Sequence, residues 1–229
     1  CKAVAHELGA ASQFVRGVFI GTLARWANSN CTASRTCSQI MADDVHRWSG
    51  RRPEVVPHPV ARPQGARAER NGVLPVLYFA GSEDRRKGAD LVEAAMPLAL
   101  GTIEFTKVGG KPWIQVPDRR AARAEVTSHE FFGRLLLSSD LVICAGRFEG
   151  FGVTAFEAAA AGCAVACTRT GAQGDLIDMG AAQEIEPTVD SVGRLLNAPP
   201  TAPDSRISRL VIDQFGPARI GGRLARLGS

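Results

Sequence analysis

Asp140-Leu141-Val142-Ile143-Cys144-Ala145-Gly146-Arg147-Phe148-Glu149-Gly150-Phe151-Gly152-Val153-Thr154-Ala155-Phe156-Glu157 is the stretch that decides the fold. Its first five residues pass from a carboxylate into a short apolar, β-branched run, the pattern of a buried parallel strand. Residues 145–152 contain Gly146, Gly150 and Gly152 and no hydrophobic period, so the chain turns there. From Val153 strong helix formers take over, with Ala155 and Ala158 to Ala161 in the interior and Gly162 at the C-terminal cap position. Ala164 to Thr168 reads as a second strand. The unit is strand, glycine loop, helix, strand.

Such a unit places its loop at the carboxyl edge of a parallel sheet. The first backbone N–H groups of the helix lack intrahelical partners and favour an anion. Gly150 and Gly152 let a ligand approach the backbone without a Cβ in the way. Glu149 sits in the loop and Glu157 lies about one turn into the helix, so the two carboxylates are on the order of 12 Å apart along the element at 1.5 Å per residue. That span suits a sugar at one end of a diphosphate and a ribose at the other. The plainer alternative is an ordinary turn carrying solvated carboxylates.

The upstream chain supplies a second loop of the same kind. Val76 to Gly81 reads as a strand ending in glycine, followed by the polar, charged segment Ser82 to Lys87, then Gly88 and a helix from about Ala89 to Met96 that Pro97 should break. A fixed cation such as Lys87 would stabilise negative charge that develops on a departing diphosphate.

Together these motifs resemble the paired-glutamate signature of retaining glycosyltransferases of the GT-B fold, group 1 (family 4). The resemblance assigns the donor sugar to Glu149, the distal phosphate to the backbone of Gly150, Phe151 and Gly152, the ribose hydroxyls to Glu157, and the diphosphate charge to Lys87, with Val153 also among the donor-binding residues. Lys87 and Glu149 are the implied catalytic pair. The sequence departs from the family at Ser82, where an arginine usually follows the strand-ending glycine; Ser82 and Arg86 are counted among the donor-binding residues, and whether Arg85 or Arg86, later in the loop, reaches the same phosphates is not legible in the sequence. Weaker likenesses extend the match: Ile103 to Val108 with Gly109-Gly110, Phe131 to Ser139, Thr170 to Ile177, the closing helices in Arg206 to Arg226, and, upstream, Ala27 to Ser29 and Val55 to Val60.

The implied fold is α/β, a Rossmann-like three-layer domain with a parallel sheet, the C-terminal half of a GT-B fold. Residues 63–229 would form the nucleotide-sugar donor-binding domain, and residues 1–62 the tail of an N-terminal acceptor domain with the interdomain linker. Those first 62 residues contain helical stretches such as Arg35 to Arg47 but no alternation of strands and helices. The chain opens at Cys1 rather than at a methionine, which reads as a truncated or processed product. The implied activity is transfer of a sugar from a UDP- or GDP-linked donor with retention of anomeric configuration. The acceptor, whether a sugar, a lipid-linked or a small molecule, is not legible, and a missing N-terminal domain or partner chain is expected to complete the site. The alternative is a non-catalytic nucleotide-sugar-binding module or subunit.

Composition narrows the partners. The 27 Lys and Arg against 23 Asp and Glu leave a net charge of +4, too mild for a nucleic-acid footprint. Arg119, Arg120 and Arg123 form the densest basic cluster and read as a solvated helix face. The six cysteines have neither metal-site nor redox spacing. No cofactor and no metal are therefore expected, and a reducing cytoplasm is the natural location. The apolar stretch Phe14 to Ala27 is interrupted by Arg16 and Arg25 and is not a membrane span; peripheral attachment stays compatible with a lipid-linked acceptor. His58, between Pro57 and Pro59, reads either as a linker residue or as one facing the cleft.

Overall fold

A computed structural model describes residues 34–67, 72–81, 85–110, 121–201 and 205–227. The chain divides into two compact units between Pro57 and His58. In the first, strands β1 (Arg35–Thr36) and β2 (Glu54–Val55) pair in parallel and are linked through helix α1 (Gln39–Ser49). The helix expected from Arg35 begins only after Ser38, whose hydroxyl accepts the Met41 N–H at 3.2 Å. Arg35 and Thr36 are extended because pairing with β2 satisfies their backbone. Phe14 to Ala27 and Ala27 to Ser29 lie outside the described residues.

The second unit runs β3 (Leu74–Gly81), α2 (Ala89–Ala95), β4 (Ile103–Gly109), β5 (Ala121–Ala124), α3 (His129–Leu137), β6 (Leu141–Cys144), α4 (Val153–Ala161), β7 (Ala164–Cys167), α5 (Gln173–Asp178), β8 (Gln183–Glu184), α6 (Val189–Asn197), α7 (Ser205–Phe215) and α8 (Pro217–Leu227). Six strands form one parallel sheet in the order β5-β4-β3-β6-β7-β8. The chain order reverses at the β3–β6 pair, where Val76 lies against Leu141 and Tyr78 against Ile143. The connections leaving these two neighbours depart to opposite faces, opening a crevice at their carboxyl ends.

Each face of the sheet is covered by helices, as an all-parallel sheet requires. One face buries Val76, Tyr78, Phe105, Leu141 and Ile143 against Leu91 and Val92 of α2 and Val192, Leu195 and Leu196 of α6. On the other, α4 packs on β6 and β7 and α3 packs beside it. The low polarity of α4 now has a reason: Ala155 and Ala158 to Ala161 are all buried, so small side chains allow the helix to lie close on every side.

A further expectation changes. The segment around Arg119, Arg120 and Arg123 is not a helix face: Ala121–Ala124 is an edge strand, with Phe105 opposite Ala121 and Lys107 opposite Arg123. Its alanines favour a helix in isolation, but the open hydrogen-bonding row of β4 decides the conformation, and Arg123 Nε donates to the Gly110 carbonyl at 2.8 Å. Arg119 and Arg120 lie outside the described residues. Pro97 breaks α2 as expected: the α-helix ends at Ala95, and Pro97 lies in the 3-10 turn Met96–Leu98 that follows.

The signature loop is fastened from below by aromatic packing. Phe151 stacks on Phe156 with ring centroids 4.4 Å apart, and Phe156 meets Phe215 of α7 edge-on at 4.7 Å. Phe156 is fully buried. Phe156→Ala is expected to lower unfolding stability by about 3–5 kcal/mol, as measured by urea denaturation; a loss below about 1 kcal/mol would show that this cluster does not anchor the loop.

Candidate functional site

The loops that follow β3 and β6 meet at the crevice. Lys87 ends a 3-10 turn, Arg85–Lys87, and its Nζ forms an ion pair with Oε1 of Glu149 in the glycine loop. Close backbone approach makes this possible. Gly88 has φ 72°, and a Cβ there would lie 2.0 Å from the Ala145 carbonyl oxygen. Only glycine fits.

Arg147, which the sequence reading passed over, staples the same two loops. Its backbone N–H donates to the Arg86 carbonyl at 2.8 Å, and its guanidinium forks onto both Asp90 carboxylate oxygens at 2.8 Å. A further N–H of the guanidinium donates to the Arg85 carbonyl. Burial alone would raise the Asp90 carboxyl, but the hydrogen bonds and charge of Arg147, with help from Arg85, hold it below its ordinary value. The position of Lys87 is therefore set by a bidentate pair to the first turn of α2. An arginine after a glycine carries no sequence signal for that role, since Asp90 is distant in the chain.

A cavity of about 480 Å³ opens here. Lys87, Glu149, Phe151, Gly152 and Val153, all singled out from the sequence, contribute to its wall. Gly152 caps α4 with φ 81°, so the first turn of this nine-residue helix presents Val153 and Thr154 to the cavity. Further residues that the sequence did not single out for it join the wall, among them Cys144, Val126, Thr154 and Gln173. Burial, then Cys167 and Glu149, push the Cys144 thiol well above its ordinary value, so it stays protonated and is no nucleophile at neutral pH. His58, the linker histidine, also lines the cavity, its ring edge-on to Phe151 at 5.2 Å.

The remaining sequence candidates are placed differently. Gly150 turns its carbonyl to the Ala172 N–H at 3.2 Å, and Arg86 is exposed, contributing its backbone carbonyl to Arg147. Glu157 borders a separate recess of about 330 Å³ with Arg62, Gln64 and His129. It is only 8% exposed, and burial raises its carboxyl above the ordinary value although His129 pulls it back. Ser82 lies outside the described residues. Among the described residues no group of three His, Cys, Asp or Glu side chains is placed to hold a metal ion, and no helix is long and apolar enough to cross a membrane.

A glycine-loop crevice at the reversal of a parallel sheet, walled by a Lys–Glu pair and a helix N-terminus, coincides with a family model. The model, described as Glycosyl transferases group 1, matches residues 74–198. The chain belongs to this family. No curated protein sequence matches it. Among solved structures, sucrose-phosphate synthase from Thermosynechococcus elongatus superposes with a TM-score of 0.73 at 18% identity, covering 90% of this chain and 60% of its own. HepE from Anabaena, in complex with UDP and glucose, gives 0.75 at 16% identity, covering 90% of this chain and 66% of its own. A glycosyltransferase from Rickettsia africae gives 0.72 at 15% identity with the same coverage, 90% and 66%. These likenesses establish the architecture, the Rossmann-like C-terminal half of a GT-B glycosyltransferase. The chain of this group 1 member spans 60% and 66% of the lengths of the first two neighbours.

The raised Glu157 carboxyl has a consequence for stability. A group whose folded value exceeds its unfolded one contributes stability below the unfolded value, near 4.3 for glutamate, and loses it as pH rises through the folded value. Glu157→Gln does not titrate. Its stability relative to the parent chain is therefore expected to increase from pH 4 to pH 7, measured by denaturant titration at both pH values; an unchanged difference would contradict the burial of a charged carboxylate.

Proposed function

We propose that the protein is the donor-binding portion of a retaining glycosyltransferase that takes its sugar from a UDP- or GDP-linked donor. The observation that carries this reading is the Lys87–Glu149 ion pair set against the N-terminus of α4 in one cavity. The paired-glutamate signature and the family membership support it. Complexes of the Anabaena neighbour HepE with UDP and with UDP-glucose support the choice of ligand class.

In this reading the diphosphate lies over the first turn of α4, where free N–H groups and the helix dipole favour negative charge. Lys87 neutralises the leaving group. Glu149, now paired with Lys87, meets the donor sugar, and Glu157 takes the ribose hydroxyls from its buried position. The glycosidic C1–O bond to the diphosphate breaks while an acceptor hydroxyl attacks from the same face, its proton passing to a diphosphate oxygen. The charge that grows on the diphosphate is then stabilised by preorganised donors and one fixed cation. Neither a metal nor a cofactor is required by this scheme. The acceptor pocket is assigned to an N-terminal half, with residues 1–62 as its tail and residues 63–229 as the donor domain, acting in the cytoplasm.

A second reading, a nucleotide-sugar-binding module without catalysis, is favoured by Ser82 standing where the family usually has arginine. Sugar turnover by the chain joined to its upstream half distinguishes the two. Calorimetry of the 229-residue chain with UDP, GDP and their sugars tests the shared premise. Glu157→Ala is expected to weaken nucleotide binding about tenfold, the loss of roughly 1.4 kcal/mol of hydrogen bonding to the ribose. Failure of the folded chain to bind either nucleotide at millimolar concentration would sink both readings. Lys87→Ala is expected to weaken a nucleoside diphosphate more than the corresponding monophosphate in the same titrations; equal losses would remove Lys87 from the diphosphate.

A further inference from the structure

We propose that Gln173 contacts the donor, its carboxamide Nε2 donating a hydrogen bond to a diphosphate oxygen seated at the N-terminus of α4. The inference rests on the donor-site reading above and adds to it a side chain from a third loop.

Gln173 is 1% exposed, and a buried carboxamide must place two N–H donors and one carbonyl acceptor. One end is accounted for. Oε1 accepts from the Thr170 hydroxyl at 3.3 Å. Thr170 touches the Thr168 hydroxyl at 3.3 Å, and Thr168 donates to the Gly146 carbonyl in the glycine loop. The Thr170 hydroxyl thereby holds the Oε1 end of the carboxamide. It also ties Gln173 to the loop that carries Glu149.

The other end points at the cap of α4. A Cβ on Gly152 would lie 2.8 Å from both Cγ and Nε2 of Gln173, so glycine at that cap is what admits the side chain. Among the described residues Nε2 donates to no acceptor, and Gln173 lines the same cavity as Lys87, Val153 and Thr154. Nε2 is not among the fully enclosed polar atoms left without a partner, so it reaches the cavity, where an acceptor arriving with the ligand can meet it.

The surroundings select the kind of acceptor. Beside Nε2 stand the first N–H groups of α4, and on the same cavity wall the Lys87 ammonium is paired with Glu149, so backbone and side-chain donors converge. The carboxylate of Glu149 is already engaged by Lys87. An anionic oxygen fits this convergence better than a sugar hydroxyl, which would bring a proton of its own.

The test is calorimetric titration of the 229-residue chain with UDP, GDP, UMP and GMP, comparing Gln173→Met and Gln173→Glu with the parent. Met keeps the shape and removes the donor; Glu keeps an oxygen for Thr170 and turns a second, negative one toward the cavity. Diphosphate binding is expected to weaken about tenfold for Met and further for Glu, with monophosphate binding within about twofold of the parent. If Gln173→Met does not fold, Gln173→Glu alone decides. Unchanged diphosphate binding in a variant, alongside weakening by Glu157→Ala, overturns the Gln173 contact and leaves the donor site standing. Equal weakening of mono- and diphosphate overturns it as well, because the side chain would then act only on loop structure. A parent chain that binds no nucleotide removes the donor-site reading itself.

Discussion

The site depends on one constraint, the adjacency of β3 and β6 at the point where the chain order of the parallel sheet reverses. Because the connections leaving these two strands go to opposite faces, their loops are left facing each other across a crevice rather than being covered by a helix. The Lys87–Glu149 ion pair bridges that crevice. Its two members are 62 positions apart in the chain and meet because Val76 to Tyr78 lie in register with Leu141 to Ile143.

The loops are held by different means. The turn carrying Lys87 is polar and is stapled through Arg147 to Asp90 and to two backbone carbonyls. The loop carrying Glu149 is anchored by apolar contact, Phe151 stacking on Phe156 and both meeting Phe215. The closing helix α7 therefore contributes to the site without touching the cavity. Val60, at the start of the second unit, bonds to the Phe215 carbonyl at 2.8 Å, so the entering segment is fixed at the same place. A rigid aromatic base beneath a polar rim keeps donor groups preorganised, the condition under which fixed dipoles and charges act on a transition state.

The two glutamates of the signature differ in their electrostatics. Glu149 is paired with a cation at the cavity wall. Glu157 is buried in a separate recess, where desolvation raises its carboxyl. A carboxylate that is poorly solvated gains more from a hydrogen-bond donor than an exposed one would, because the bond replaces little water. The electrostatic difference between the two follows from their surroundings rather than from residue type.

Local pattern alone determined the strand, glycine loop, alanine helix and second strand between Asp140 and Thr168, since the apolar run, the glycines and the helix formers are each sufficient over a few residues. It also singled out Lys87, Glu149, Gly152 and Glu157. Tertiary structure decided what local propensity could not. Ala121 to Ala124 became a strand because β4 offered an open edge, and Arg35 and Thr36 became extended because β2 paired with them. Arg147 and Gln173 entered the site through partners distant in sequence, Asp90 and Gly152. A side chain's own turn is written in its neighbours along the chain, whereas the charge it meets across a crevice depends on strand order, which no local window contains.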